Sequence, residues 1–175
     1  MRVRPASKEA SRPESRGKPR EVVQVRRAGL GDLPLLMRHR IAMDCELGRG
    51  ARKGLLPYKR AYRRWAERGI RSGRLIPFIA APSEGRPMGS GSIWLREDRP
   101  HRGDLHHVLP RIHGIYVEPA ARRRGAATAL LEAMLRWIRQ RGFQRVSLRA
   151  TPRARALYLR YGFRDNSEMQ RIWQT

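Results

Sequence analysis

A mixed α/β (α+β) domain is the fold class this sequence predicts, and three features predict it. Segments Leu75–Ala80 and Met88–Leu95 read as the two strands of a hairpin, because the Ser83–Pro87 stretch between them is rich in turn formers. Leu130, Leu131, Met134, Leu135 and Ile138 form one apolar stripe of a long helix between Gly125 and Arg141. Strand-like and helix-like segments follow one another in the order β-α-α-β-β-β-α-β-α-β, with no internal repeat.

Order begins near Glu21, and Val22, Val23 and Val25 make a short β-like run. Asp32 offers an N-cap and Pro34 suits a first helical turn. Leu33, Leu36, Met37 and Ile41 follow at helical spacing, and Gly48 and Gly50 end the helix. A second helix covers Tyr58 to Ile70, with Tyr62, Trp65 and Ala66 on one face and Ser72-Gly73 as its stop. Beyond the hairpin, Arg96–Pro110 is polar and reads as a loop. Ile112–Val117 is a further strand stopped by Pro119. Gly142 C-caps the long helix. Val146–Leu148 is a short strand, Ala154–Tyr161 a short helix ended by Gly162, and Glu168–Trp173 a last strand.

The chain has 175 residues, 40% hydrophobic and 31% charged, which suits one domain with a sizeable core rather than two. Residues 1–20 stand outside that domain. Pro5, Pro13, Gly17 and Pro19 among many charges mark a disordered basic arm, and 21–175 is the folded part. The arm reads as a leader, with a basic tether to an anionic surface as the alternative. No apolar run approaches the ~20 residues of a membrane-spanning helix, and no apolar signal core follows the basic start. A soluble, cytoplasmic protein with no membrane contact is expected. The only cysteine, Cys45, excludes an internal disulfide and reads as a small core residue. The net charge of +24 comes almost wholly from arginine. Guanidinium forks suit phosphate, so nucleic acid or another polyanion is one expected partner; a compositional preference for arginine explains the charge equally well.

Ile115 to Ala127, IYVEPAARRRGAA, is the segment that carries chemistry. A strand ends at Pro119, a basic loop follows, and Gly125 sits where a helix begins. The first N–H groups of that helix lack internal partners and lie at the positive end of its dipole, which suits an anion. Gly125 has no side chain to block a phosphate, and Ala126 and Ala127 are nearly as unobtrusive. Arg122, Arg123 and Arg124 add charge and bidentate donors. Taken alone, the loop reads equally well as a solvated basic turn. It is neither the Rossmann glycine pattern nor a P-loop. A second segment, Ala156-Leu157-Tyr158 through Gly162-Phe163, would by itself be a packed aromatic at the end of a short helix.

In this order and at this spacing, the two segments resemble the GNAT superfamily of acetyl-CoA-dependent N-acetyltransferases over roughly residues 21 to 175. Val117-Glu118-Pro119 with Arg122-x-x-Gly125-x-Ala127 is similar to the family's fourth strand and pyrophosphate loop. Leu157-Tyr158 through Gly162-Phe163 is similar to its later Leu-Tyr-x-x-x-Gly-Phe motif. The resemblance implies the GNAT fold, a mixed and mostly antiparallel sheet splayed between strands 4 and 5 and flanked by helices. It implies acetyl-CoA as co-substrate. The pantetheine arm would pair with backbone groups of Ile115, Tyr116 and Val117. The pyrophosphate would rest on N–H groups of Arg122, Arg124, Gly125, Ala126 and Ala127, with Arg123 beside them. Tyr158 would protonate the departing thiolate, and a primary amine would attack the thioester directly. The acceptor would be a small metabolite, an amino acid, an antibiotic or a peptide N-terminus, and a homodimer is compatible.

Three departures from the family pattern stand out. Ala127 replaces a common glycine, as the pattern allows. Ala150-Thr151-Pro152 stands where an Asn often follows strand 5. Arg111-Ile112-His113 stands where some members carry a glutamate base, so no glutamate base carries over.

His113 alternates onto the face of Ile115 and Val117, and its titration range suits amine deprotonation; a packed strand histidine is the other reading. His101, His106 and His107 lie in the loop before this strand without a matching cysteine or carboxylate set, so no metal is expected. Glu97 and Asp98 are candidates for holding the acceptor amine, with a solvated loop as default. Tyr58, Tyr62 and Trp65 line either the acceptor cleft or the helix core. A competing function of a different class is a basic GNAT-fold module that binds nucleic acid or ribosomes with little or no catalysis.

Overall fold

Six consecutive buried residues, Leu75 to Ala80, form the middle of the sheet, and their environment explains the uninterrupted apolar run. The structure is a computed structural model that describes residues 22–49, 55–166 and 171. Its elements are β1 (Val23–Arg27), α1 (Leu33–Glu46), α2 (Leu55–Arg71), β2 (Leu75–Pro82), β3 (Gly89–Glu97), β4 (Val108–Val117), α3 (Ala126–Gln140), β5 (Ser147–Leu148) and α4 (Pro152–Arg160). The strands lie side by side in chain order. The first four are antiparallel and β5 runs parallel to β4. Ile76, Phe78 and Ala80 pack with Leu130, Leu131 and Met134 of α3. Ile79 meets Leu36 of α1, and Leu75 meets Ala66 of α2. Both faces are therefore covered by helices, and neither face of β2 needs polar residues.

Two glycines of β3 admit close neighbours. A Cβ on Gly89 would stand 2.4 Å from the Tyr116 carbonyl oxygen, and one on Gly91 would stand 3.0 Å from Ile115 Cγ1 and 3.1 Å from Met134 Cε. Gly89→Ala is expected to cost about 1–3 kcal/mol, because a backbone oxygen must move to relieve the overlap. Urea unfolding measures this, and an unchanged midpoint would refute the tight β3–β4 approach.

β4 contains a bulge. Ser92 pairs with His113, but Ser90 pairs with Tyr116, so Gly91 faces two residues, Gly114 and Ile115. Gly114 has φ +66°, the left-handed value a glycine bulge uses. The extra residue inverts the side-chain alternation. Ile115 packs toward α3, while His113 stands 5.9 Å from the Trp65 ring on the α1–α2 face. The expectation that His113 shares a face with Ile115 and Val117 is thus corrected, and the bulge is the reason.

Other expectations are adjusted by particular contacts. The expected loop at 96–110 is shorter, because β3 runs to Glu97 and β4 begins at Val108. Asp32 stands at the N-cap position of α1 as expected, but its side chain makes no capping hydrogen bond to the helix. Its carboxylate accepts the Gly29 N–H at 2.9 Å and pairs with Arg26. Cys45 is exposed near the end of α1, not in the core. Gly142, at φ +79°, follows α3 as expected of a left-handed cap. The arm at 1–20, Gly50 and the expected strand Glu168–Trp173 lie outside the described residues, apart from Arg171. Among the described residues, no helix is long and apolar enough to cross a membrane.

Candidate functional site

The site begins where the sheet divides. β5 pairs with β4 only at Arg111↔Ser147 and Ile112↔Leu148. Beyond Ile112, β4 keeps β3 on one side and has no strand partner among the described residues on the other. Its bulge and the brevity of β5 both favour this separation; Pro152 at the first position of α4 takes the chain out of the sheet soon after Leu148. Open backbone groups along Ile115, Tyr116 and Val117 suit an extended ligand that pairs as a strand would. One of them is engaged: Arg122 Nε donates to the Val117 carbonyl at 3.1 Å.

This open edge leads into the basic loop. The Ala121 N–H bonds the Glu118 carbonyl at 2.8 Å, closing a short 3-10 turn over Pro119–Ala121. Arg123 at φ +65° and Gly125 at φ +86° then both adopt left-handed backbone. Such local geometry aims successive N–H groups to one side. The Ala129 N–H reaches the Gly125 carbonyl at 2.9 Å, so the N–H groups of Ala126, Ala127 and Thr128 precede the intrahelical ladder. A Cβ on Gly125 would meet nothing within 4 Å. The glycine is therefore required by its φ, and the space beside it is open.

The three arginines divide. The Arg122 guanidinium turns away from the helix start, pairs with Glu46 at the end of α1 and stands 6.0 Å from the Tyr116 ring centroid. It braces β4 against α1. Arg123 and Arg124 are exposed, as is Gly125. Arg122 also uses its own N–H on the Pro119 carbonyl at 3.3 Å. The backbone N–H groups from Gly125 onward are thus better placed than the Arg122 side chain to meet an anion.

Tyr158 lies on α4, buried in the same core as Ile112 and Met134, with the Phe163 ring 5.8 Å away. Its hydroxyl has no partner among the described residues, and burial pushes its pKa up. The phenol therefore holds its proton through the neutral range. It faces a cavity of about 400 Å³ alongside Val146, Ser147 and Leu148. The Ser147 hydroxyl is buried there without a hydrogen-bond partner among the described residues.

The opposite face of β4 carries a different set. His113 is held at a pKa of about 4, first by burial and then by the Arg40 and Arg111 charges, with Asp44 opposing. It is a neutral imidazole at pH 7. Tyr62 is pushed up to about 12 by burial. Tyr58 donates to Asp44 at 2.7 Å and accepts from Arg40 at 2.8 Å, while Tyr62 and Trp65 pack on the Leu33–Ala66–Leu75 core. The expected aromatic lining therefore divides: Tyr58 joins a polar network, and the other two pack.

The His113 shift has a consequence for stability. The folded state binds fewer protons than the unfolded chain between pH 6.5 and 4, so stability is complete above 6.5 and lost as pH falls through 4. The loss is at most about 3 kcal/mol, from the separation of the two pKa values. His113→Phe is expected to flatten that part of the profile in thermal melts; an unchanged slope would refute the burial argument.

Sequence reasoning missed His39. It is 1% exposed, with Nδ1 2.9 Å from Ser90 Oγ and Nε2 3.1 Å from Glu118 Oε1, and its ring lies 5.2 Å from that of Tyr116. A carboxylate only accepts, so Nε2 carries the proton and Nδ1 accepts from the serine hydroxyl. The available signal was its position three residues after Leu36, on the buried stripe of α1. Glu97 pairs with Arg74 at 2.8 Å, and Asp98 lies 3.3 Å from Arg145 and 3.7 Å from His101. Glu97 thereby ties the end of β3 to the residue before β2, and Asp98 braces the β3–β4 connection. His106 bonds the buried Asp104 at 2.8 Å. Among the described residues, no three potential ligands gather to hold a metal.

A sheet divided between its fourth and fifth strands, with a basic loop opening the helix after the fourth, defines an α/β fold with room for an extended ligand that carries an anion. The sequence model of the Acetyltransferase (GNAT) family matches residues 42–163, and the chain belongs to that family of acetyltransferases. It is similar to a GCN5-related N-acetyltransferase from Ralstonia eutropha JMP134, with 28% identity, a TM-score of 0.79, and 87% of this chain and 99% of that one covered. A predicted acetyltransferase from Clostridium acetobutylicum with acetyl-CoA has 21% identity and a TM-score of 0.76, covering 86% and 96%. The aminoglycoside N-acetyltransferase AAC(6')-Iy in complex with CoA has 23% identity and a TM-score of 0.61, covering 90% and 98%. No curated protein sequence matches.

Proposed function

We propose that this protein is an N-acetyltransferase that moves the acetyl group of acetyl-CoA directly to a primary amine. One observation carries the reading: the strand edge from His113 to Val117, unpaired by β5, runs into the left-handed loop at Gly125. That combination matches a thioester on an extended arm tipped by pyrophosphate. The similar Clostridium and AAC(6')-Iy structures contain acetyl-CoA and CoA, which supports the same co-substrate here. AAC(6')-Iy has also been seen with a CoA–acetylneamine bisubstrate analogue, which supports a small-molecule amine acceptor.

In this reading, Gly125, Ala126 and Ala127 hold the pyrophosphate by backbone N–H groups, with Arg123 and Arg124 adding charge at the mouth. Ile115, Tyr116 and Val117 align the arm, and a β4 N–H polarises the thioester carbonyl. The amine nitrogen forms its bond to the carbonyl carbon as the carbon–sulfur bond breaks. Tyr158 delivers its proton to the leaving thiolate from the α3–α4 side. His113, facing the α1–α2 side with a neutral ring, takes the amine proton. The bulge at Gly114 separates acid and base onto opposite faces of β4.

The test is to incubate purified protein with acetyl-CoA and a panel of primary amines while following thiol release, with acetyl-CoA binding measured by calorimetry. Saturable binding and amine-dependent thiol release are expected. Absence of binding would sink the enzyme reading.

A further inference from the structure

We propose that the groove between α1 and α2 docks an acidic, amphipathic helix of a partner protein. The groove has a volume of about 850 Å³ and lies between the first half of α1 and the body of α2. Leu33, Pro34, Met37 and Ile41 supply an apolar side, and Leu30 at its end is 41% exposed. Lys59 and Arg60, adjacent on α2, and Arg63, one helical turn further along, line the other side. None of these three cations has an acidic partner among the described residues. Glu67, the one acid among the described lining residues, is paired with Arg71 at 2.7 Å.

Apolar floor and cationic rim together select the occupant. An amphipathic helix places an apolar stripe in such a groove and its flanking charges on the rim. Two neighbouring helices already present ridges and grooves suited to a third. Acidic flanks complement Lys59, Arg60 and Arg63. A single nucleic-acid strand would engage the rim, but its bases need aromatic stacking platforms, and no aromatic residue is among the described lining residues. A second copy of this chain is disfavoured by the shared charge of +24, and its own arm at 1–20 carries more Arg and Lys than Glu. The partner is therefore a different, acidic chain.

The test uses the full chain and a fluorescein-labelled synthetic peptide of about 18 residues, long enough to span the groove. The peptide contains only Leu and Glu, with Leu at i, i+3, i+4 and i+7. A permuted peptide of the same composition lacks the apolar face. Fluorescence anisotropy is expected to give about tenfold tighter binding of the patterned peptide, because only it covers the floor. Arg60→Gln with Arg63→Gln is expected to weaken that binding about tenfold through lost charge complementarity. Arg136→Gln with Arg139→Gln, exposed on α3, is expected to leave it within about twofold. Far-ultraviolet circular dichroism of both double variants checks that they are folded. Equal affinity for the two peptides, equal losses in the two double variants, or tighter binding of a single-stranded oligonucleotide of matched charge would each overturn the proposal.

Discussion

Tyr158→Phe is expected to lower kcat about 100-fold, the usual order for removing a positioned general acid, with little change in KM for acetyl-CoA. The fold should survive, because the hydroxyl has no partner among the described residues and the ring, packed on Phe163, is kept. A thermal midpoint within a few degrees of wild type is the control. The pH profile separates an acid from a packing role. Burial raises the Tyr158 pKa above its ordinary value near 10, so its deprotonation limits turnover only at alkaline pH. That alkaline limb should be present in the wild type and absent from the variant's residual activity. Full turnover by Tyr158→Phe would remove the acid role outright.

The second large effect is expected at Gly125. Gly125→Asp should weaken acetyl-CoA binding at least about 100-fold by calorimetry, while leaving the fold intact. Its φ of +86° is left-handed, a region Asp tolerates better than most residues, and its Cβ would have open space. Asp also favours the N-cap of a helix, where Gly125 stands. The stability change is therefore small, but a carboxylate enters the space assigned to a pyrophosphate. Two like charges about 4 Å apart repel by about 4 kcal/mol near a protein surface, which is more than the two decades expected. Gly125→Ala separates strain from charge. It should cost stability of about 1–2 kcal/mol and keep affinity within about tenfold. Unchanged binding by the Asp variant would show that the anion does not rest at this helix start.

The contrast between Gly125 and His113 explains how much of the site was legible in the sequence. Gly125 was placed correctly at the start of α3, because a helix N-terminus announces itself through local residues and the stripe of Leu130, Leu131, Met134 and Ile138 that follows. The hairpin of β2 and β3 was legible for the same reason. Regular alternation places His113 on the face of Ile115 and Val117, and the bulge at Gly114 breaks that alternation. A bulge depends on the partner strand, and here Gly91 must admit Ile115 and the tip of Met134. His39 was overlooked because its partners, Ser90 and Glu118, lie 51 and 79 residues away in sequence.

The sequence by itself determined the fold class, the order of the described elements, the family and the position of the basic loop before α3. These rest on short-range patterns: apolar spacing, turn residues and the paired Arg122–Ala127 and Tyr158–Phe163 motifs. Tertiary structure alone decided that the Arg122 side chain braces α1 instead of facing the helix start. It alone decided that Cys45 is exposed and that a cation-rimmed groove forms between α1 and α2. Each of these depends on which distant segments meet. Arg122 meets Glu46 across 76 residues of chain, and local residue spacing does not encode a partner that distant.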